Sequence, residues 1–190
     1  IIELAKLRDI TIKKNQLESK FAQFDLKYNA VPGDMDNATS FWGNSRTGNG
    51  NGDGCIDWTQ GTAGVIASEA GRAFEHMQLA ALIDKNFEPE GNAATAGVGF
   101  EGGLDGGKFL YTSWTIQGIL CAQTLTITDW YDIFYMETDI IIHYGKPLTL
   151  AGTEVNDSIL TVGQTFALDQ KFDDGQIRSG AIQAANGFSG

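Results

Sequence analysis

Apolar residues recur at spacings of three and four over the first thirty positions: Leu7, Ile10, Leu17, Phe21, Phe24 and Tyr28, with Lys14 breaking the series. That pattern predicts one helix from Ile1 to Ala30 with a single apolar stripe. A lone helix of this length is marginal in water, so the stripe requires a partner surface from later in the chain. The helix has to end at Val31-Pro32-Gly33-Asp34. Asn29 favours a turn, Val31 is held extended by the proline after it, and Gly33 tolerates positive φ.

Further on, Ala70, Ala73, Phe74, Met77, Ala80 and Ala81 line one face of a second helix, capped by Ser68 and running to about Asp84. Lys108 to Ile116, Tyr131 to Met136 and Ile140 to Tyr144 are rich in aromatic and β-branched residues and predict strands. Thr161 is the expected cap of a last helix that stops at Asp173-Asp174-Gly175. Residues 44 to 57 and 86 to 107 are dominated by turn formers and predict irregular loops, the second without an assignable structure. A long helix, a short one and then clustered strands predict an α+β fold, in which a long N-terminal spine helix packs on a small antiparallel β-sheet. One domain spans residues 1–190, with the spine at 1–30 and a globular head at 31–190.

Composition sharpens this picture. With 42% hydrophobic and 11% aromatic residues, the chain has enough apolar surface for a sizeable core. The net charge of −11 is unevenly spread. Six Lys/Arg face four acids in residues 1–30, whereas seven face twenty beyond. A basic spine on an acidic head argues against nucleic-acid partners and favours cations near the head. No apolar run approaches the length needed to cross a membrane. Cys55 and Cys121 are either a disulfide pair, worth roughly 4 kcal/mol in the chain-entropy account, or two buried thiols.

Three segments carry a resemblance. The first is Phe24 to Asp34, followed by Asn37-Ala38-Thr39 and Phe41-Trp42-Gly43. The second joins Asn49-Gly50-Asn51-Gly52-Asp53-Gly54 to Glu75 through Ile83, and the third is Leu168 to Gly175 with Gly180 behind it. In this order they resemble the type IV pilin-like superfamily, specifically its pseudopilins and minor pilins with a prepilin-type N-terminus. The resemblance implies a non-enzymatic filament subunit of a type IV pilus-like or type II secretion-like machine involved in protein secretion. It implies a hydrophobic helical half upstream of Ile1, which anchors the precursor in the inner membrane before assembly into a periplasmic or extracellular filament. Its partners would be other pilin or pseudopilin subunits and the inner-membrane assembly machinery. Neither the cleavage site nor the acidic residue near the mature N-terminus is present, and Glu3 is not that residue.

For chemistry, Asn49, Asn51, Asp53 and Asp57 place oxygen ligands on alternate residues, with Gly54 after the third and the carbonyl of Cys55 at the seventh loop position. That is the ligand spacing of an EF-hand-like calcium loop, although Gln60 replaces the closing bidentate glutamate. The alternative is a metal-free Gly/Asn turn. Glu69, or another carboxylate, would complete a calcium shell. Asp173 and Asp174 would serve a second metal or receive backbone N–H groups. His76 and His143 read as hydrogen-bonded structural histidines. No nucleophile elbow, zinc helix or phosphate loop occurs. Trp130 and Tyr131, adjacent in a strand pattern, are the expected exposed aromatics. They support the alternative function, a calcium-dependent adhesin or carbohydrate-binding tip subunit on the same scaffold.

Overall fold

The computed structural model describes residues 2–44, 47–56, 69–84, 100–101, 104, 107–113, 132–135, 140–145, 159–176 and 179–183. Helix α1 spans Ile2–Tyr28 and ends where Asn29 turns to φ 50°. Leu7, Ile10, Leu17, Phe21 and Phe24 of its stripe are buried, each removing apolar surface worth about 1.5–3 kcal/mol. Lys14 leaves the stripe by pairing with Glu18 at 2.7 Å, one turn on. Past the helix, Gly33 sits at φ 95° with its α-carbon so close to the Glu69 carbonyl that a side chain would collide with it. Only glycine satisfies both conditions.

A short helix, α2 (Ala38–Trp42), packs Trp42 and Phe41 on Tyr28 with ring centroids 5.4 Å away in each case. Phe41 is nonetheless largely exposed, so Trp42 does most of the covering at the end of α1. Helix α3 runs Glu69–Leu79 and lies against α1 on one side and the sheet on the other. It stops short of the expected Asp84. Ala81 turns left-handed at φ 58°, and Leu82 N donates to Met77 O while Ala81 N donates to Gln78 O. This is a Schellman stop built on alanine instead of glycine, and it places Ala81 on the exposed side. The proposed cap Ser68 lies outside the described residues.

Among the described residues, five strands form one antiparallel sheet: β1 (Phe100–Glu101), β2 (Lys108–Ser113), β3 (Asp132–Tyr135), β4 (Ile140–Gly145) and β5 (Ile182–Gln183). Their spatial order is β1-β2-β4-β3-β5, with two-residue strands at both edges. Ile142 and Tyr144, two apart on β4, face the core as the strand period requires. Tyr144 lies opposite Phe109 of β2, their ring centroids 4.6 Å apart. The Tyr144 hydroxyl accepts a hydrogen bond from Leu104 N at 2.8 Å and fills the space where a side chain at Gly107 would be. Helix α4 (Val162–Phe172) follows, opened by a capping box between Thr161 and Gln164. One core cluster joins Phe24 and Leu17 of α1, Phe74 and Met77 of α3, Phe109 and Tyr144 of the sheet, and Leu168 of α4.

Candidate metal sites

The end of α1 brings Asp34 beneath the glycine-rich loop, where its side chain is only 3% exposed. Its Oδ1 accepts from Gly52 N at 2.6 Å and Asp53 N at 3.2 Å, and its Oδ2 accepts from Gly54 N at 2.8 Å. Gly52 N also reaches the Asp34 carbonyl, and Gly50 N reaches the carbonyl of Met35. At Gly50 a side chain would collide with the Asp34 backbone, which is why the two segments can run in contact. Glu69, at the start of α3, accepts from Asn51 N at 2.9 Å. Two buried carboxylates therefore organise the loop through its backbone N–H groups. Burial raises the Asp34 pKa above the usual carboxylate value; the Gly54 and Gly52 N–H groups oppose that rise and the Asp53 charge adds to it.

His76 ties the same region to α3 and is fully buried. Its Nδ1 accepts from Gly33 N at 2.9 Å. The ring proton then belongs on Nε2, which donates to the Gly48 carbonyl at 3.3 Å. The ring stacks on Phe24, centroids 6.2 Å apart at 11°, and leans on Trp42 at 5.5 Å. Burial in this aromatic sleeve lowers the His76 pKa from 6.5 to about 4, outweighing the hydrogen bond to Gly48. Beside it, Glu75 accepts from Thr47 Oγ1 at 2.8 Å, and its pKa is raised, again chiefly by burial. A neutral, doubly bonded imidazole is a structural crosslink rather than a metal ligand.

Asp34, Asp53 and Glu69 each bring a carboxylate oxygen within 4.8 Å of the other two and could hold a metal ion. Of the residues expected to form a calcium loop, Asp53 belongs to this group. Asn49 Oδ1 instead accepts from Thr39 N at 2.8 Å, capping α2 from across the chain. Asn51 Oδ1 accepts from Asp53 N, its amide donates to Asp53 Oδ2, and Asp53 Oδ1 accepts from Cys55 N. The side-chain oxygens of Asn51 and Asp53 thus accept backbone N–H groups within the turn, and that of Asn49 accepts from α2. Cys55 is buried and disulfide-bonded. Asp57, Cys121, Trp130 and Tyr131 lie outside the described residues.

Comparison of the chain with protein-family models, curated proteins and solved structures finds no match. Its chemistry has to be argued from its own geometry.

A second group, Asp169, Asp173 and Asp174, meets the same 4.8 Å criterion at the C-terminal end of α4 and could likewise hold a metal ion. Here Asp169 Oδ1 accepts from Gly175 N at 3.2 Å, Asp173 Oδ2 from Ile182 N at 2.7 Å, and Asp174 Oδ1 and Oδ2 from Gln176 N and Ser179 Oγ. Asp169 is only 1% exposed, yet its Oδ2 has no hydrogen-bond partner. Burial raises its pKa, the Gly175 N–H opposes that, and the charges of Asp174 and Asp173 reinforce it. On sequence grounds Asp173 and Asp174 suited either a metal or backbone donors. It offered no sign that Asp169, one turn earlier, would be the most deeply buried of the three.

Proposed function

We propose that this chain is a structural subunit of a type IV pilus-like or type II secretion-like filament, acting by assembly and not by catalysis. The carrying observation is the outward face of α1. Ile12, Gln16, Ser19, Gln23 and Leu26 recur at spacings of four and three and are all exposed, with Asn15 and Ala22 beside them. Leu26 is 86% exposed and Ile12 47%. None of these seven residues is charged. A monomer gains nothing from leaving this stripe in water. A helix in an assembly can lay it against a neighbouring helix without burying an ion.

The resemblance supports the same reading. Its first two segments meet through Asp34, His76 and the glycine-rich loop, so the matching residues form one hydrogen-bonded unit at the head end of α1. In this reading, neighbouring subunits contact the α1 face in the periplasm, the precursor is anchored upstream in the inner membrane, and the head forms the filament surface. Calcium is the cation that suits the head's all-oxygen acidic groups.

The test is cross-linking in the native host. Full-length protein carrying Ser19→Cys or Gln23→Cys, made together with its assembly machinery, should give oxidation-dependent multimers, and Ala22→Glu should reduce them without lowering the melting temperature. Absence of multimers from either cysteine, in cells that make the filament, would sink the proposal.

A further inference from the structure

The geometry points to a hard divalent cation, of the calcium class, bound by Asp169, Asp173 and Asp174 and fastening the end of α4 to strand β5. The two acidic groups of the head differ in one respect that decides between them. In the group at Asp34, both Asp34 oxygens accept backbone N–H groups and Glu69 accepts from Asn51, so the buried negative charge is already compensated. In the group at Asp169, the most buried of the three side chains has an oxygen, Oδ2, without a hydrogen-bond partner. An ionised oxygen buried in that state costs several kcal/mol unless a positive charge or a proton reaches it.

Among the described residues no side chain meets that requirement, and a bound cation would. Among the described residues, no lysine or arginine forms an ion pair with these three acids. Lys171, the nearest in sequence, holds its ammonium over the Phe172 ring, 5.5 Å from the centroid. The location adds to the attraction, because the three acids lie at the C-terminal end of α4, the negative end of the helix dipole. Three carboxylates form an oxygen-only set, which calcium accepts with flexible geometry and magnesium accepts only when near-octahedral.

The bound ion would join two elements that otherwise touch lightly. Asp173 already accepts from the Ile182 amide of β5, and Gly180, at φ 78°, approaches the Asp173 carboxylate too closely for any side chain. Neutralising Asp173 and Asp169 with one ion removes the repulsion across this junction, so the sheet edge at β5 becomes cation-dependent. The inference concerns the folded head alone and does not depend on the filament reading.

Calcium titration of the 190-residue chain tests it, by calorimetry and by thermal unfolding in calcium or chelator, with Asp169→Asn, Asp174→Asn and Asp53→Asn alongside. At a calcium concentration of about 100 times Kd, the folded-to-unfolded ratio should rise about 100-fold, a melting shift of about 5–10 °C. Asp53→Asn should keep the shift, and Asp169→Asn and Asp174→Asn should lose most of it. Amide exchange in the unmutated chain should slow at Gly175 and Ile182 when calcium is added, a readout that stands even where a variant fails to fold. The inference is overturned by no calcium-dependent change in the unmutated chain, or by a shift that Asp53→Asn abolishes and Asp174→Asn retains. It is equally overturned if Asp169→Asn is more stable than the parent and the parent ignores calcium, which would mean that the orphan oxygen carries a proton.

Discussion

Acidification should unfold this protein by a route that runs through His76. In the folded chain the ring accepts from Gly33 and donates to Gly48 inside an aromatic sleeve, so it takes up a proton only near pH 4; unfolded, it does so near 6.5. Because the folded value is the lower, the stabilising contribution of neutral His76 is complete above pH 6.5. It declines as pH falls through the interval and is constant again below about 4. The gap corresponds to about 3 kcal/mol in full, of which about 2 kcal/mol is lost between pH 7 and pH 5. Asp34, Glu75 and Asp169 work in the opposite direction, since their raised folded values make protonation favour the native state. The raw pH curve is therefore shallower than the histidine contribution alone. Urea unfolding at pH 7 and pH 5, on the parent and on His76→Gln, isolates it as a difference between the two. Ring-proton NMR on His143→Gln, which retains only His76, reads the native titration directly. Titration of His76 at 6.5 or above, or parallel pH curves for the two proteins, would refute the reasoning.

Three further outcomes are expected. Asp34→Ala strands the Gly54 N–H and leaves Gly52 N with the backbone carbonyl of residue 34 and Asp53 N with Asn51 Oδ1, so it should cost about 2–3 kcal/mol in urea unfolding, with faster amide exchange confined first to the loop. Ala81→Gly relieves a left-handed alanine at the end of α3 and should stabilise by about 0.5–1 kcal/mol, visible as a melting rise of about 1–4 °C. A melting temperature that falls would mean that the alanine conformation is not the native one. Thr161→Ala removes the side-chain acceptor for Gln164 N and should cost about 1 kcal/mol by chemical denaturation, whereas Thr161→Ser should cost less than half of that.

The parts of this fold that could be read in the sequence are those specified by local rules. The α1 stripe has the helical period, Pro32 and Gly33 forbid its continuation, and Thr161 with Gln164 makes a reciprocal cap within one turn. The end of α3 misled because its signal is a conformation and not a residue type. Alanine normally extends a helix, so Ala80 and Ala81 suggested continuation where Ala81 turns left-handed. Strands β1 and β5 are two residues long, too short to show any alternation. The loop at Asn49 to Asp53 was open to two readings because the same Asn and Asp oxygens suit a cation or a chain of Asx turns. What organises the loop is Asp34, which lies about eighteen residues away and is brought there by the turn at Pro32-Gly33. A carboxylate directly after a helix-ending Pro-Gly, in a chain whose next loop exposes many glycine N–H groups, is the signal that would have pointed to that contact.

The two-residue strands at the sheet's margins have a bearing on how the head behaves at high concentration. A strand seeking to extend the sheet needs several consecutive free N–H and C=O groups in extended register. Phe100–Glu101 and Ile182–Gln183 offer it two residues each. Among the described residues β4 lies inside, paired with β2 along its whole length and with β3 over four residues, whereas β2 meets β1 at Lys108 and Phe109. At these two margins copies of this head are thus poor templates for one another's backbones, and crowding should not fuse them through β1 or β5.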